Sequence, residues 1–344
     1  MEKTFLNRFL KTTPLLCALM VVGIHSFSAD TKAPKSLNTI VQSIFSHGIF
    51  TAAVPIFFII SGYLFYRNAE NISDIAKKQK KRLISYLLPF VSWSLLYYIV
   101  FALFSKAGIS AVTVDLSVLG IVKGVVFYEY VFPLWFLFQL LIYTILSPVI
   151  FYILTNKPLT YIILIITAVL GVLDITVKVN IGSDTRSIFS PNYFTYYFTG
   201  ALLSQNKEWF LKAEEKLKKL STALIVILLL LFGTAEGIIY DLVPVFNKRI
   251  LVPFVAFFAF ILFDKISVKF ENSKIKLDKI STMAIYGIHS LIITIITRVL
   301  NLFHLPGLLL YFAVFCGTAV ISVLAGIIFK KIKILNLAFC GGRK

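Results

Sequence analysis

Long apolar stretches alternate with short polar connections along the chain. Several stretches of about 20 residues are almost free of charge, which is the length a helix needs to cross a hydrocarbon core of about 30 Å. The pattern predicts an all-α, polytopic membrane protein with ten transmembrane helices in a single domain over residues 1–344. The predicted spans are Thr12–Ala29, Gly48–Tyr66, Leu83–Phe104, Val131–Leu154, Leu159–Val177, Pro191–Gln205, Leu220–Tyr240, Ile250–Phe263, Ile280–Leu300 and Pro306–Phe329.

Composition and charge agree with this class. The 344 residues are 58% hydrophobic, and the mean hydropathy is +0.88, which is outside the range of soluble domains. A net charge of +18 could suggest nucleic-acid binding, but most Lys and Arg residues fall in short connections on one predicted side. We therefore expect no nucleic-acid partner, contact with membrane lipids, and both termini in the cytoplasm. A homo-oligomer stays open.

Two predicted connections are amphipathic. Lys207–Lys219 alternates charged residues with apolar ones and predicts a helix on the inner membrane surface. Ser105–Tyr130 contains the apolar run VLGIVKGVVF and predicts a re-entrant or interfacial helix with Lys123 at its polar edge.

His25 is the strongest candidate for chemistry. It lies in the apolar stretch Lys11–Phe27, roughly 20 Å along the helix from Thr12. Ionisable groups inside a membrane are costly and usually functional, although a hydrogen-bonded interfacial histidine is the alternative. Ser26 points about 100° away and is a poor partner. Three acidic residues could orient the imidazole, and the sequence leaves the choice open: Asp30, Asp174 and Glu236.

Other polar residues are candidates for substrate binding. Gln139 lies inside a predicted span, and Tyr286 and His289 lie three residues apart on one helix face. We place His289 in the inner half of its span and His25 in the outer half, so a metal pair between them is not expected and no metal is predicted. His47 and His304 are interpreted as surface residues of outer loops.

A basic inner loop follows the second span, with five cations close together: Lys77, Lys78, Lys80, Lys81 and Arg82. Its simplest interpretation is a topology signal that also binds anionic lipids. The functional alternative is a dock for a polyphosphate-bearing cofactor, because Lys and Arg bind phosphate groups.

The order of these segments resembles the bacterial acyltransferase family 3 of integral membrane acyltransferases. The matching segments are LMVVGIHSF around His25, VPIFFIISGYLF, the basic loop leading to LLPFVSW, PLWFLFQLLI, YFTGALL and AIYGIHSLI. The resemblance implies transfer of an acyl group, often acetyl, from cytoplasmic acyl-CoA to a hydroxyl of a cell-envelope or exported polysaccharide, in the bacterial cytoplasmic membrane.

The resemblance also implies roles for individual residues. His25 corresponds to the family's first-helix histidine and would act as general base, or carry the acyl group as an acyl-imidazole. The five cations of the basic loop would hold the CoA phosphates. Gly62 and Gly200 would line a passage for the acyl-bearing arm. The residues that would contact substrate are Lys11, Ser61, Gln139, Glu236, Tyr286 and His289.

One position departs from the family pattern. The family usually has Arg or Lys eleven residues before the histidine, where this chain has Pro14, with Lys11 one turn earlier and Arg8 beyond it. Lys11 is expected to substitute, because its long side chain can snorkel. The alternative function is a transporter or flippase for a glycan intermediate or a small polar solute such as an amino acid. A non-catalytic partner of an export complex is the third hypothesis.

Overall fold

The structure, a computed structural model, describes residues 2–29, 36–108, 113–181, 184–242, 249–271, 273 and 277–342. Helices dominate it, and the first eight are α1 Glu2–His25, α2 Leu37–Ser43, α3 Ala53–Tyr66, α4 Ile72–Lys106, α5 Val118–Val126, α6 Trp135–Ile145, α7 Ser147–Thr155 and α8 Lys157–Val172. The rest are α9 Pro191–Gln205, α10 Lys207–Lys218, α11 Thr222–Leu242, α12 Val252–Phe270, α13 Thr282–Asn301, α14 Gly307–Lys331 and α15 Lys333–Cys340. Two strands, β1 Val177–Ile181 and β2 Asp184–Phe189, form an antiparallel hairpin.

The described part of the chain contains six helical segments long and apolar enough to cross a membrane, and a seventh if α6 and α7 form one bent span. This indicates a multi-pass membrane protein. The predicted number of ten spans is not confirmed, because α8 and α9 have only 16 and 15 residues. The cytoplasmic location of both termini remains a prediction.

Three predicted segments differ from the structure. The basic segment was predicted to be a loop, and this prediction is wrong. The segment is helical and forms the first turns of α4, which starts one residue after the N-cap Asn71. The predicted span Val131–Leu154 is broken at Leu146, between α6 and α7, whose axes differ by 61°, and Pro148 lies in the first turn of α7. Proline has no N–H to continue a helix, which explains the break. The all-α prediction misses the β1–β2 hairpin, which begins where the span Leu159–Val177 was expected to end.

Both amphipathic segments are helical, as the sequence predicts. In α10, Phe210 and Leu211 are buried and Trp209 is exposed. The segment around Lys123 forms α5, capped by the Ser117 side chain, which accepts a hydrogen bond from the Gly120 N–H.

The centre of the fold is the crossing of α3 and α9. At Gly62 a Cβ would overlap the Tyr197 carbonyl, and at Gly200 a Cβ would overlap the Ile59 carbonyl. Small residues that let two backbones approach are a common device of membrane helices. The expectation that Gly62 and Gly200 line a passage is therefore wrong, because each is closed by the backbone of the other helix.

Replacing Gly200 with alanine should lower the free energy of unfolding by about 1–3 kcal/mol or more, because α3 and α9 would have to separate. Gly317→Ala is the matched control, since a Cβ there meets only the side chain of Ile296 and alanine favours the helix. Thermal unfolding of both variants in one detergent measures the difference. Equal transition midpoints would contradict the tight crossing.

Candidate functional site

A polar cavity of about 660 Å³ lies at the end of α1 that carries His25. We call it the histidine cavity. Its walls come from α1, α3, α6, the β1–β2 hairpin and the segment before α12. The polar side chains that line it are His25, His47, Tyr128, Gln139, Asp174, Thr176, Lys178, Thr185, Arg186, Ser187, Ser190, Asn192, Tyr193, Tyr240, Arg249 and Tyr286.

His25, on the wall of this cavity, contacts a second histidine, His289, which does not line the cavity. The ring centroids of His25 and His289 are 5.1 Å apart, with His289 fully buried and His25 half-buried on the cavity wall. Nδ1 of His289 lies 2.6 Å from the carbonyl oxygen of Tyr286. A carbonyl can only accept, so Nδ1 carries the hydrogen in this contact and Nε2 of a neutral His289 is an acceptor, with the Ser290 Oγ 3.5 Å away.

The argument that separated these histidines by depth is wrong. Ile285 packs against Ala18 and Val22, which lie in the second half of α1. The first turn of α13 therefore lies beside the second half of α1 and not beside its start. His289, one turn beyond Ile285, therefore reaches the level of His25. Within the described ranges, no group of three or more His, Cys, Asp or Glu residues is arranged to hold a metal ion.

His47 was interpreted as a surface residue of a loop, and this is wrong. It lies in a π-helical turn, Ile44–Gly48, that continues α2. Its ring stacks on Tyr240 with centroids 3.9 Å apart, and it lines the histidine cavity. The sequence contained one signal for this helix, the N-cap Ser36, whose side chain accepts a hydrogen bond from the Thr39 N–H. His304 is exposed, as expected.

Three cations line the same cavity, and sequence reasoning did not connect them. Lys178 and Arg186 come from the β1–β2 hairpin, and Arg249 precedes α12. Arg249 and His25 line the same cavity, so the guanidinium charge and the imidazole face one space. Only Asp174, among the described lining residues, is acidic, so the formal charge of the wall is positive.

Gln139 and Glu236 hold this wall in place. Gln139 Nε2 donates to the carbonyls of Ser187 and Ile188, and its Oε1 accepts from the Ser190 N–H at 3.1 Å. The amide thus fixes the hairpin to α6. Glu236 is buried, and Oε2 accepts from the Leu251 N–H at 3.0 Å, two residues after Arg249.

The remaining predicted residues lie in different places. Tyr286 lines the cavity beside His25, whereas Ser61 and Lys11 do not. The Lys11 Nζ donates to the carbonyl of Phe270, at the end of α12. Of the candidate acidic partners of His25, Asp174 is on the cavity wall and Asp30 lies outside the described residues. The Ser26 hydroxyl donates to the Val22 carbonyl, so its own helix occupies it, as expected.

A second space, the basic pocket, opens at the opposite end of α3. It encloses about 640 Å³ between α3, the start of α4 and the turn after α15. Lys78, Lys81 and Arg82 line it, and Lys77 and Lys80 do not. Helical spacing explains the division, because positions i, i+3 and i+4 share one face. Only part of the predicted cofactor-binding set therefore faces one pocket.

The buried cation of α1 is Arg8. Its Nη2 donates to Glu214 Oε1 at 2.6 Å and to Asp264 Oδ1 at 2.9 Å, tying α1 to α10 and α12. Lys218 pairs with the same Glu214 oxygen at 2.8 Å. Burial raises the pKa of Glu214, but hydrogen bonds to Asp264 and Lys218 and the charges of Lys218 and Arg8 outweigh this and lower it overall.

Comparison with known proteins identifies the family. The family model Acyl_transf_3, described as an acyltransferase domain, matches residues 15–327. No curated protein and no solved structure matches the chain. The chain belongs to this family and is a membrane acyltransferase, which confirms the resemblance and does not favour the transport alternative.

Replacing Arg8 with methionine should destabilise the protein by about 3–5 kcal/mol, because two buried carboxylates lose their shared partner. Lys11→Met is the matched control and should have a small effect. The difference in unfolding free energy between Arg8→Met and the unsubstituted protein should become smaller at acidic pH. Glu214 has a lowered pKa, so its contribution is present at neutral pH and is lost as the pH falls through that pKa.

Unfolding midpoints at pH 7 and at pH 4 measure this prediction. Adding Glu214→Gln and Asp264→Asn to Arg8→Met should recover part of the loss. An Arg8→Met protein as stable as Lys11→Met would rule out the network as a structural tie.

Proposed function

We propose that this acyltransferase moves an acyl group, with acetyl favoured, from cytoplasmic acyl-CoA to a hydroxyl of a glycan, in the bacterial cytoplasmic membrane. The contact of His25, on the wall of a polar cavity, with the buried His289 is the observation that carries the proposal. Glycan hydroxyls are weakly acidic, and histidine is the side chain best suited to remove their proton near neutral pH.

His25 acts as general base on the acceptor hydroxyl. The hydroxyl oxygen forms a bond to the acyl carbon, the carbon–sulfur bond of the thioester breaks, and the proton held by His25 passes to the departing thiolate. The proton held during this step makes His25 cationic. His289 supports that state, because its Nδ1 is committed to the Tyr286 carbonyl and its Nε2 can accept a hydrogen bond.

The basic pocket suits the phosphates of acyl-CoA. Lys78, Lys81 and Arg82 lie on one helix face, and charge-assisted hydrogen bonds to phosphate are among the strongest in proteins. The Lys78 Nζ also donates to the Arg67 carbonyl, so one of its three hydrogens is already used. The remaining donors can point into the pocket.

The acyl arm would follow one face of α3. Phe57 lines the histidine cavity and Leu64 lines the basic pocket, roughly 10 Å apart along the helix. Ser61 lies four residues after Phe57 and three before Leu64, so it shares their face between the two spaces. This position supports the predicted substrate contact of Ser61, although it lines neither space.

His25→Ala should abolish acyl transfer in folded protein, a loss of about a hundredfold or more for a general base. His289→Phe should lower kcat by about tenfold with little change in KM for acyl-CoA, and His289→Gln should recover part of that loss because it restores an acceptor. Release of CoA and labelled acyl product from radiolabelled acetyl-CoA measure all three. Full turnover in His25→Ala would refute the assigned base.

Changing Lys78, Lys81 and Arg82 together to glutamine should raise KM for acyl-CoA about tenfold or more, with a smaller effect on kcat. The double variant Lys77→Gln, Lys80→Gln is the matched control on the other helix face. Initial rates over a range of acyl-CoA concentrations test this. The same KM in both variants would show that the basic segment acts only in topology or lipid contact.

A further inference from the structure

An apolar groove of about 510 Å³ lies beside the histidine cavity, between α8 and α9 on one side and α12 on the other. We call it the apolar groove. Along α12 it extends from Pro253 to Asp264, roughly 17 Å, which is about half the thickness of a hydrocarbon core. At the end nearest α10 it is closed by the ion pairs of Glu214 and Asp264 with Arg8.

The groove opens toward the side of the protein. Val172 of α8 and Phe257 of α12 line it, and they are 48% and 47% exposed, respectively. Both helices consist mainly of apolar residues. Its middle is lined by small or apolar side chains, among them Ala168, Ala256 and Phe260. A hydrocarbon chain from the bilayer could therefore enter sideways without crossing a polar surface.

The apolar groove and the histidine cavity adjoin each other. Gly171, Asn192 and Arg249 line both spaces. At Gly171 the backbones of α8 and α9 are in close contact, since an added Cβ would lie 2.8 Å from the Asn192 Cα, so these two residues belong to the wall that the two spaces share. Arg249 lines both spaces and thus stands where an apolar chain would end and a polar group would begin.

The charges at this junction specify the polar group. Arg249, Lys178 and Arg186 face the cavity with Asp174 as the acidic lining residue among those described. Arginine binds phosphate through paired hydrogen bonds, and the attraction strengthens where water is scarce. A hydrocarbon groove that ends at an arginine fits a lipid phosphate, with whatever the phosphate carries lying next to His25.

From the position of Arg249 in the lining of both spaces we infer that the acyl acceptor is bound while attached to a lipid phosphate. Its hydrocarbon chain occupies the apolar groove, its phosphate contacts Arg249, and its glycan lies in the histidine cavity. The inference rests on the proposed glycan acceptor and names how that acceptor is held.

Binding can be measured separately from catalysis. Radiolabelled hexadecyl phosphate is titrated against the full chain in nanodiscs of phosphatidylcholine, with hexadecanol and inorganic phosphate as competitors. We expect saturable binding that hexadecanol displaces poorly and inorganic phosphate does not displace. Arg249→Gln should weaken binding about tenfold and Arg249→Lys less, because lysine keeps the charge.

A matched pair of variants on α8 tests the groove itself. Ala168→Phe fills the apolar groove and should weaken binding about tenfold. Ile165→Phe adds an aromatic ring on the same helix at a position 63% exposed and outside the groove, and should leave binding unchanged. Unfolding midpoints confirm that both variants fold.

Equal effects of the two α8 variants, or displacement by hexadecanol as strong as by hexadecyl phosphate, would overturn the inference. Release of CoA with a soluble glycan acceptor is followed in the same preparations. Lipid-phosphate binding without CoA release would count against the proposed reaction and leave the lipid site standing. CoA release by a protein whose lipid-phosphate binding is unchanged by Arg249→Gln and Ala168→Phe would support the proposed reaction and count against the lipid site.

Discussion

The close crossing of α3 and α9 is the contact on which the three spaces of this protein depend. Gly62 and Gly200 bring each backbone against a carbonyl of the other helix. One helix, α3, then borders every space: Phe57 faces the histidine cavity, Leu64 the basic pocket and Ile59 the apolar groove. A shift of α3 would change all three at once, which is why its position must be fixed by backbone contact rather than by adaptable side chains.

The ion pairs of Arg8 fix α1 to α10 and α12. Buried charges are costly unless they are paired and hydrogen-bonded, so the Arg8 network favours one arrangement of α1, α10 and α12. The family's usual basic residue would lie at Pro14, and the sequence suggested Lys11 as its substitute. Lys11 instead contacts a carbonyl at the end of α12. The buried cation is Arg8, one turn earlier, which pairs with two acidic residues distant in sequence, Glu214 and Asp264.

Local pattern was enough to predict much of the fold, and contact between distant segments decided the rest. The amphipathic helices α5 and α10 follow from spacing alone, and α9 has the predicted bounds. The contact of His25 with His289 does not follow from spacing. It depends on which part of α1 the start of α13 lies beside, and the packing of Ile285 against α1 sets this. The hairpin that supplies Lys178 and Arg186 is likewise invisible to a search for apolar spans. Gln139, chosen as a substrate contact, turned out to anchor that hairpin.

The proposed reaction sets a geometric demand that the fold can meet in only one way. The donor's phosphates and the reacting hydroxyl would lie at opposite ends of α3, so the acyl arm must cross between them. The α3–α9 face is sealed at Gly62 and Gly200. The face carrying Phe57, Ser61 and Leu64 reaches from the histidine cavity to the basic pocket, and the Ser61 hydroxyl midway would offer a polar contact to an arm that contains amides. The acceptor would arrive from the other side, through the apolar groove. Donor and acceptor would thus reach the histidine pair by separate routes, and neither would need to leave before the other enters.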